Sequence, residues 1–249
     1  MKIRIIPTIL SDGVTVVKGE NFNNWRTVGN VFAVAKLFGA RQVDELMMLD
    51  VKARQRKQIV SEELILNFSE NLNIPFSVGG GINTLDDARK CFRAGAEKII
   101  LGTSAIKNPS LISQVADVFG NQAIIVAIDF LSVSRNEIVI NSGTHKFDID
   151  AFEFISKLEK LGAGEVLVQS IEKEGTLSGP DLSRIRTVSS LTNLPVIASG
   201  GISSGQDAQD AIDSGASALA IGALFQFTKV TPREIHDHLL VAGLEVRRI

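Results

Sequence analysis

The stretch Ile74–Ala105, IPFSVGGGINTLDDARKCFRAGAEKIILGTSA, is matched without a gap by Leu194–Phe225, LPVIASGGISSGQDAQDAIDSGASALAIGALF, 120 residues further on. Identical pairs include Pro75/Pro195, Gly80/Gly200, Gly81/Gly201, Ile82/Ile202, Asp87/Asp207, Ala88/Ala208, Gly95/Gly215, Ala96/Ala216 and Gly102/Gly222. Glu45 and Glu165 share the same offset. An offset near half of a 249-residue chain describes two similar halves, about 1–120 and 121–249, and excludes a short-period solenoid.

Working outward from the repeat, each half alternates short apolar runs with amphipathic stretches. The predicted strands are Ile3–Thr8, Glu45–Asp50, Phe76–Val78, Lys98–Leu101, Ala123–Ile128, Glu165–Ser170, Val196–Ser199 and Ala218–Ile221. Several are rich in Val and Ile, as strands buried on both faces are. Asp150–Leu161 and Ser183–Leu191 read as amphipathic helices, and Asn108-Pro109 and Thr231-Pro232 read as N-caps followed by proline at the first helical position. Eight such units in two similar halves predict a closed (β/α)8 TIM barrel of the α/β class rather than an open doubly wound sheet. No Pro/Ser-rich linker separates the halves, so residues 1–249 are expected to form one domain.

The bulk numbers agree with that size and class. Hydrophobic residues make up 45% and charged residues 22%, and the net charge of −2 offers no basic field for nucleic acid or an anionic membrane. Cys91 is the single cysteine, which excludes an internal disulfide. Its setting between Lys90 and Phe92 suggests a structural helix residue. The start, Met1–Pro7, lacks a long apolar segment and no apolar run approaches membrane-spanning length, so a cytoplasmic protein is expected. His236 and His238 are two apart on a helix and do not share a face, and with His145 they give no metal site. No cofactor is expected. Trp25 reads as packing or as an anchor for a loop near the first strand.

In such barrels the chemistry sits at the carboxyl ends of the strands. Four of those ends carry glycine: Gly79-Gly80-Gly81, Gly102-Thr103, Gly200-Gly201 and Gly222-Ala223, after strands 3, 4, 7 and 8. Glycine lets backbone N–H groups approach an anion closely, and a following helix start adds a favourable dipole. Strands 7 and 8 are the usual phosphate site of this fold. The repeat places a second site opposite, and the two together suit a small molecule with a phosphate at each end. The alternative is that these glycines only form tight turns.

Longer motifs identify a resemblance. They are Arg4-Ile5-Ile6-Pro7, Val16-Val17-Lys18-Gly19, Asp44-Glu45-Leu46 with Leu49-Asp50, and Val78-Gly79-Gly80-Gly81-Ile82. They continue as Lys107-Asn108-Pro109, Val126-Ala127-Ile128-Asp129, Gly162-Ala163-Gly164-Glu165, Ala198-Ser199-Gly200-Gly201 and the closing Val246-Arg247. Across the whole chain this resembles the HisF family, the cyclase subunits of imidazole glycerol phosphate synthase. The resemblance implies a barrel that accepts ammonia from a HisH-type glutaminase and combines it with an aminoimidazole precursor carrying two phosphates. It implies two acid/base carboxylates, at the ends of strands 1 and 5. The second matches Asp129, and the first falls on Leu10, because the family's Pro-Cys-Leu is written Pro7-Thr8-Ile9 here. Leucine cannot move a proton, so an ordinary two-carboxylate mechanism is not expected. A shifted frame would make Asp12 the candidate, in the loop beyond the strand. Other departures are Gly102-Thr103 for Asn-Thr, Gly222-Ala223 for Ala-Ser with loss of a phosphate-binding hydroxyl, Gln169 for a threonine, and Glu174 as the nearby loop acid.

At the opposite end of the barrel the resemblance places Arg4, Glu45, Lys98 and Glu165 in a charged ring at the ammonia entrance. The other reading of these four is a salt-bridge plug that closes the barrel's bottom. A retained ring with a missing catalytic carboxylate is most similar to the WbuZ-like HisF paralogues of surface-polysaccharide loci, whose first strand likewise ends in leucines. The implied partners are then a HisH-like glutaminase and a sugar amidotransferase, with amidination of an N-acetyl sugar as the output. A cyclase subunit of histidine biosynthesis and a non-catalytic scaffold that activates a glutaminase are the alternatives.

Overall fold

The computed structural model describes residues 2–41, 43–133 and 135–247, without the side chain of Arg135. Among them, eight parallel strands form the barrel: β1 (Arg4–Ser11), β2 (Leu46–Asp50), β3 (Phe76–Gly79), β4 (Lys98–Leu101), β5 (Ile124–Ser132), β6 (Glu165–Ser170), β7 (Val196–Ser199) and β8 (Ala218–Ile221). Each pairs with the next, and β8 returns to β1 through Arg4↔Ala218 to Pro7↔Ile221, which closes the sheet. Closure removes every edge of the barrel sheet.

Alternation along the strands sorts side chains into two cores. Ile6, Met47, Ile100, Ile125, Leu167, Ile197, Ala218 and Ala220 point inward and fill the barrel's waist. Their neighbours, among them Ile5, Ile9, Met48, Val78, Ile99, Val126 and Ile128, point outward against the helices. The helices begin where the sequence supplies caps. Asp150 caps Ala151–Leu161, Asp181 caps Leu182–Leu191, and Thr231 with Glu234 forms a capping box with Pro232 at the start of Pro232–Val241. At the helix Ser110–Phe119, Pro109 has the helical dihedrals expected of a first helical position, but the Asn108 side chain accepts from the Ser110 hydroxyl rather than from a backbone N–H. Cys91 is buried in the helix Leu85–Arg93, where loss of solvation raises its thiol pKa to about 12.

The repeat has matching geometry at its two ends. Gly81 and Gly201 have φ of 70° and 85°, and a β-carbon on either would lie 2.0 and 2.2 Å from the carbonyl oxygens of Gln58 and Gly179. Val60 N–H donates to Gly80 O and Gly179 N–H to Gly201 O, both at 2.9 Å. Backbone packing therefore demands these glycines in the turns. Gly95 and Gly215 correspond similarly, each leaving room for a serine, Ser69 and Ser189.

β1 and β5 run beyond their expected ends and continue into antiparallel hairpins, Thr15–Glu20 with Asn23–Asn30 and Arg135–Ile140 with His145–Phe147. Both fold over the carboxyl end of the barrel. The Asn21 amide donates to the Ile171 and Glu172 carbonyls at 3.1 and 2.7 Å, Asn141 N–H donates to Thr103 Oγ1 at 2.9 Å, and Ser142 Oγ donates to Val51 O at 3.3 Å. No helix among the described residues is long and apolar enough to cross a membrane.

Candidate functional site

The lower mouth of the barrel holds the four charged residues together. Arg4, at the start of β1, donates to Glu45 Oε2 at 2.9 Å and forms an ion pair with Glu165. Lys98, at the start of β4, reaches Glu45 at 3.1 Å and Glu165 at 2.7 Å. Each cation thus touches both carboxylates, and the ring is neutral as a whole. Burial alone would raise the Glu165 pKa, but the Arg4 hydrogen bonds and the charges of Arg4 and Lys98 outweigh it and lower the value. Burial likewise opposes the charge on Arg4, and Glu165 and Glu45 reverse that effect and raise its pKa. Beside the ring, buried Asp44 accepts from Ile5 N–H at 3.1 Å, which ties the start of β1 to the approach of β2.

The upper mouth is asymmetric. A cavity of about 150 Å³ opens over β2 to β6, lined by Leu49, Asp50, Arg54, Gly80, Gly81, Gly102, Thr103, Ala127, Asp129 and Gln169, with Phe22, Trp25, Asn141 and Ser142 of the hairpins above it. Over β7 and β8 the space is only about 10 Å³, bounded by Glu174, Gly175, Gly200, Gly201, Gly222 and Ala223. Gly102 faces open room, since a β-carbon there would find Ala127 no nearer than 3.9 Å. Gly222 makes room for a protein group instead, because its β-carbon would stand 3.0 Å from Lys18 Nζ.

Lys18 is 1% exposed and forms a buried ion pair with Glu174, which also accepts from Gln169 Nε2 at 3.3 Å. Gln169 is the register partner of Asp129 on the neighbouring strand. Asp129 reaches the cavity from the inward face of β5, in line with Ala127 and Ile125. Burial and then the nearby Glu174 carboxylate push its pKa up to about 7. A carboxyl group poised there can give or take a proton near neutral pH.

Leu10 lies at the carboxyl end of β1, 4% exposed and beside Leu49 in the β1–β2 register. Ile9 belongs to the outer core, so alternation turns Leu10 inward. Asp12 does not replace the missing acid. Its carboxylate accepts from Val14 N–H, Thr15 N–H and the Thr15 hydroxyl within its own turn, and the backbone bonds hold its pKa low despite some loss of solvation. The structure thus brings Arg4, Glu45, Lys98 and Glu165 into one cluster. It gathers Gly80, Gly81, Gly102, Thr103 and Asp129 around one cavity, and sets Gly200, Gly201, Gly222 and Ala223 apart. Sequence reading missed Lys18 and Arg54. A lysine directly after the apolar pair Val16-Val17 was the available signal for the first.

Residues 4–231 match the family described as histidine biosynthesis protein. Curated relatives named imidazole glycerol phosphate synthase subunit HisF resemble the chain end to end. The protein of Thermobifida fusca (strain YX) is 35% identical over 99% of both chains. That of Exiguobacterium sibiricum is 38% identical over 98% of both, and that of Thermotoga sp. (strain RQ2) is 39% identical over 98% of this chain and 97% of its own. With the closed barrel, this places the chain in the histidine biosynthesis protein family, among its HisF members.

Proposed function

We propose that this chain is the barrel subunit of an imidazole glycerol phosphate synthase-type complex, receiving ammonia from a HisH-like glutaminase at the lower mouth and delivering it to the upper cavity. The observation that carries this reading is the closed ring of Arg4, Glu45, Lys98 and Glu165, joined by direct ion pairs beneath an apolar waist. An ammonium ion would lose its hydration in that interior at high cost, whereas neutral ammonia would not. A docked glutaminase that releases ammonia onto this face therefore has a physical purpose. Asp129 is the proton-handling group of the cavity, and Gly80, Gly81, Gly102 and Thr103 form its anion-binding wall. The test is turnover of the aminoimidazole precursor by the purified chain, with ammonium salt and then with glutaminase plus glutamine. Coupled turnover supports the reading. Unchanged glutaminase activity in the presence of the chain removes it.

A second reading of the acceptor is favoured by Leu10 and by Ala223, which supply neither the second carboxylate nor a phosphate-binding hydroxyl. Ammonia would then pass to a sugar amidotransferase that converts an N-acetyl group to an acetamidino group, as the resemblance to WbuZ-like paralogues suggests. Amidinated sugar formed by the three proteins together, with no turnover of the imidazole precursor, selects this reading over the first.

A further inference from the structure

The root of the hairpin that extends β5 is gripped from outside the barrel by a buried cation. Arg184, in the first turn of the helix Leu182–Leu191, is 4% exposed. Its Nη2 donates to the Ser132 and Val133 carbonyls at 3.2 and 3.3 Å, and its Nη1 donates to the Asn136 side-chain oxygen. The guanidinium lies over the Phe130 ring, 4.3 Å from its centroid, and 5.9 Å from that of Phe152. Asp181, which caps the helix by accepting from Arg184 N–H at 3.0 Å, also faces the guanidinium at 3.8 Å. From the loop after β6, Glu172 takes the donors of the same turn, accepting from Ser132 Oγ at 2.9 Å and Val133 N–H at 2.8 Å. The β6 side of the barrel thus offers a cation to the carbonyls of this turn and an anion to its donors.

We propose that Arg184 is a positioning residue for Asp129: by locking the hairpin root it holds the Asp129 carboxyl in the upper cavity and the hairpin tip, Asn141 and Ser142, above it. The inference rests on the reading of Asp129 as the proton-handling group of the cavity. Asp129 and Phe130 are adjacent on β5 and point to opposite faces, one into the cavity and one into the outer core. A grip on the Phe130 ring from outside therefore fixes the rotation of the strand end that aims Asp129 inward. The ladder alone does not fix it. Asp129↔Val139 and Phe130↔Ile138 pair regularly, but the register shifts between Phe130 and Ser132, and such an irregularity lets a strand bend and twist. Arg184 spans that shift, with Phe130 on one side and Ser132, Val133 and Asn136 on the other. A guanidinium suits the task because its edge donates to oxygens in its plane while its face stacks on a ring.

The test compares the native full chain with Arg184→Met and Asn136→Ala, by amide hydrogen exchange and by NMR titration of the Asp129 carboxyl. Arg184→Met should speed exchange in Ile138–Phe147 about 10- to 100-fold while the amides of β1 and β2 keep their native rates. Water reaching the loosened Asp129 should move its titration from about 7 toward the ordinary 3.8. Asn136→Ala, at an exposed residue, removes one partner of Arg184 and should shift both readouts the same way by less, which keeps the test decisive if Arg184→Met does not fold. Where the native chain turns over the aminoimidazole precursor with ammonium salt, Arg184→Met should lower kcat about 10-fold or more with KM little changed. The exchange and titration readouts need no acceptor, so a chain inactive on the precursor counts against that acceptor and not against Arg184. Exchange that rises equally throughout the barrel, or an Asp129 titration unchanged in the folded variants, would overturn the proposal and make Arg184 a stabilising contact only.

Discussion

Lys18 and Glu174 form a buried ion pair across the top of the barrel, joining the hairpin after β1 to the loop after β6. The pair lies where two loops interlock closely, since a β-carbon on Gly175 would stand 2.2 Å from Gly19 O and Asn21 N–H donates to Glu174 O at 2.9 Å. Removing one partner strands a charge in a site with little water, which costs about 3–5 kcal/mol. Lys18→Met should therefore lower the melting temperature strongly. Lys18→Met combined with Glu174→Leu should recover a large part of the loss. Thermal melts of the two single variants and the double variant give the coupling directly.

A second expectation follows from the raised pKa of Asp129. Its folded value of about 7 exceeds the ordinary 3.8, so the folded chain binds an extra proton between those values. Native stability should then fall as pH rises from about 4 to 7, and level off above. Asp129→Asn lacks this penalty. The variant should match the native chain near pH 4 and exceed it above pH 7, by at most about 4 kcal/mol. Urea unfolding at several pH values measures the gap. A gap that shrinks with rising pH would contradict the assigned shift.

Leu10→Asp tests whether an acid at the end of β1 is what the proposed cyclase chemistry lacks. The substitution puts a carboxylate at an inward position that is 4% exposed, so it should cost a few kcal/mol of stability. If the imidazole precursor is the acceptor, its turnover with ammonium salt should rise by about 10²-fold or more, the usual worth of a positioned acid or base. Turnover that stays at the native level would favour a different acceptor.

Much of the fold was legible because the repeat preserves the glycines and caps of the βα units, and each barrel strand is an apolar run. The hairpins were not legible. Asn23–Asn30 is polar and mostly exposed, and nothing in its pattern separates a lid strand from a loop. β5 was expected to stop at Ile128, yet its ladder continues into Arg135–Ile140 through Asp129↔Val139 and Phe130↔Ile138. The lower ring could be anticipated from the resemblance because Arg4, Lys98 and Glu165 begin strands and Glu45 immediately precedes one. Lys18 could not be assigned a role, since its partner lies 156 residues away in an irregular loop. The unequal room at the two glycine-bearing ends depends on that same pair, so symmetry in the sequence concealed it.

The last expectation separates channel from plug at the lower mouth. Each carboxylate of the ring is held by both cations, so Lys98→Ala removes one contact from each and leaves Arg4 to bridge Glu45 and Glu165. Lys98 is the most exposed of the four, with 21% of its side chain accessible, and its loss should be tolerated by the fold. Glu165→Ala is harsher, because it leaves two cations sharing one buried acid. The lowered pKa of Glu165 sets the pH window: its contribution to stability is present above its ordinary value of 4.5 and is lost as pH falls through the depressed folded value. Near neutral pH, therefore, Lys98→Ala tests transport well above the window in which Glu165 titrates. With glutaminase and glutamine supplied, glutamate should still form while the aminated product falls. Added ammonium salt should restore product only to the extent that ammonia reaches the cavity from above. Loss of glutaminase binding together with a collapsed melting temperature in Lys98→Ala, as well as in Glu165→Ala, would make the ring a structural plug and leave the ammonia route without its main support.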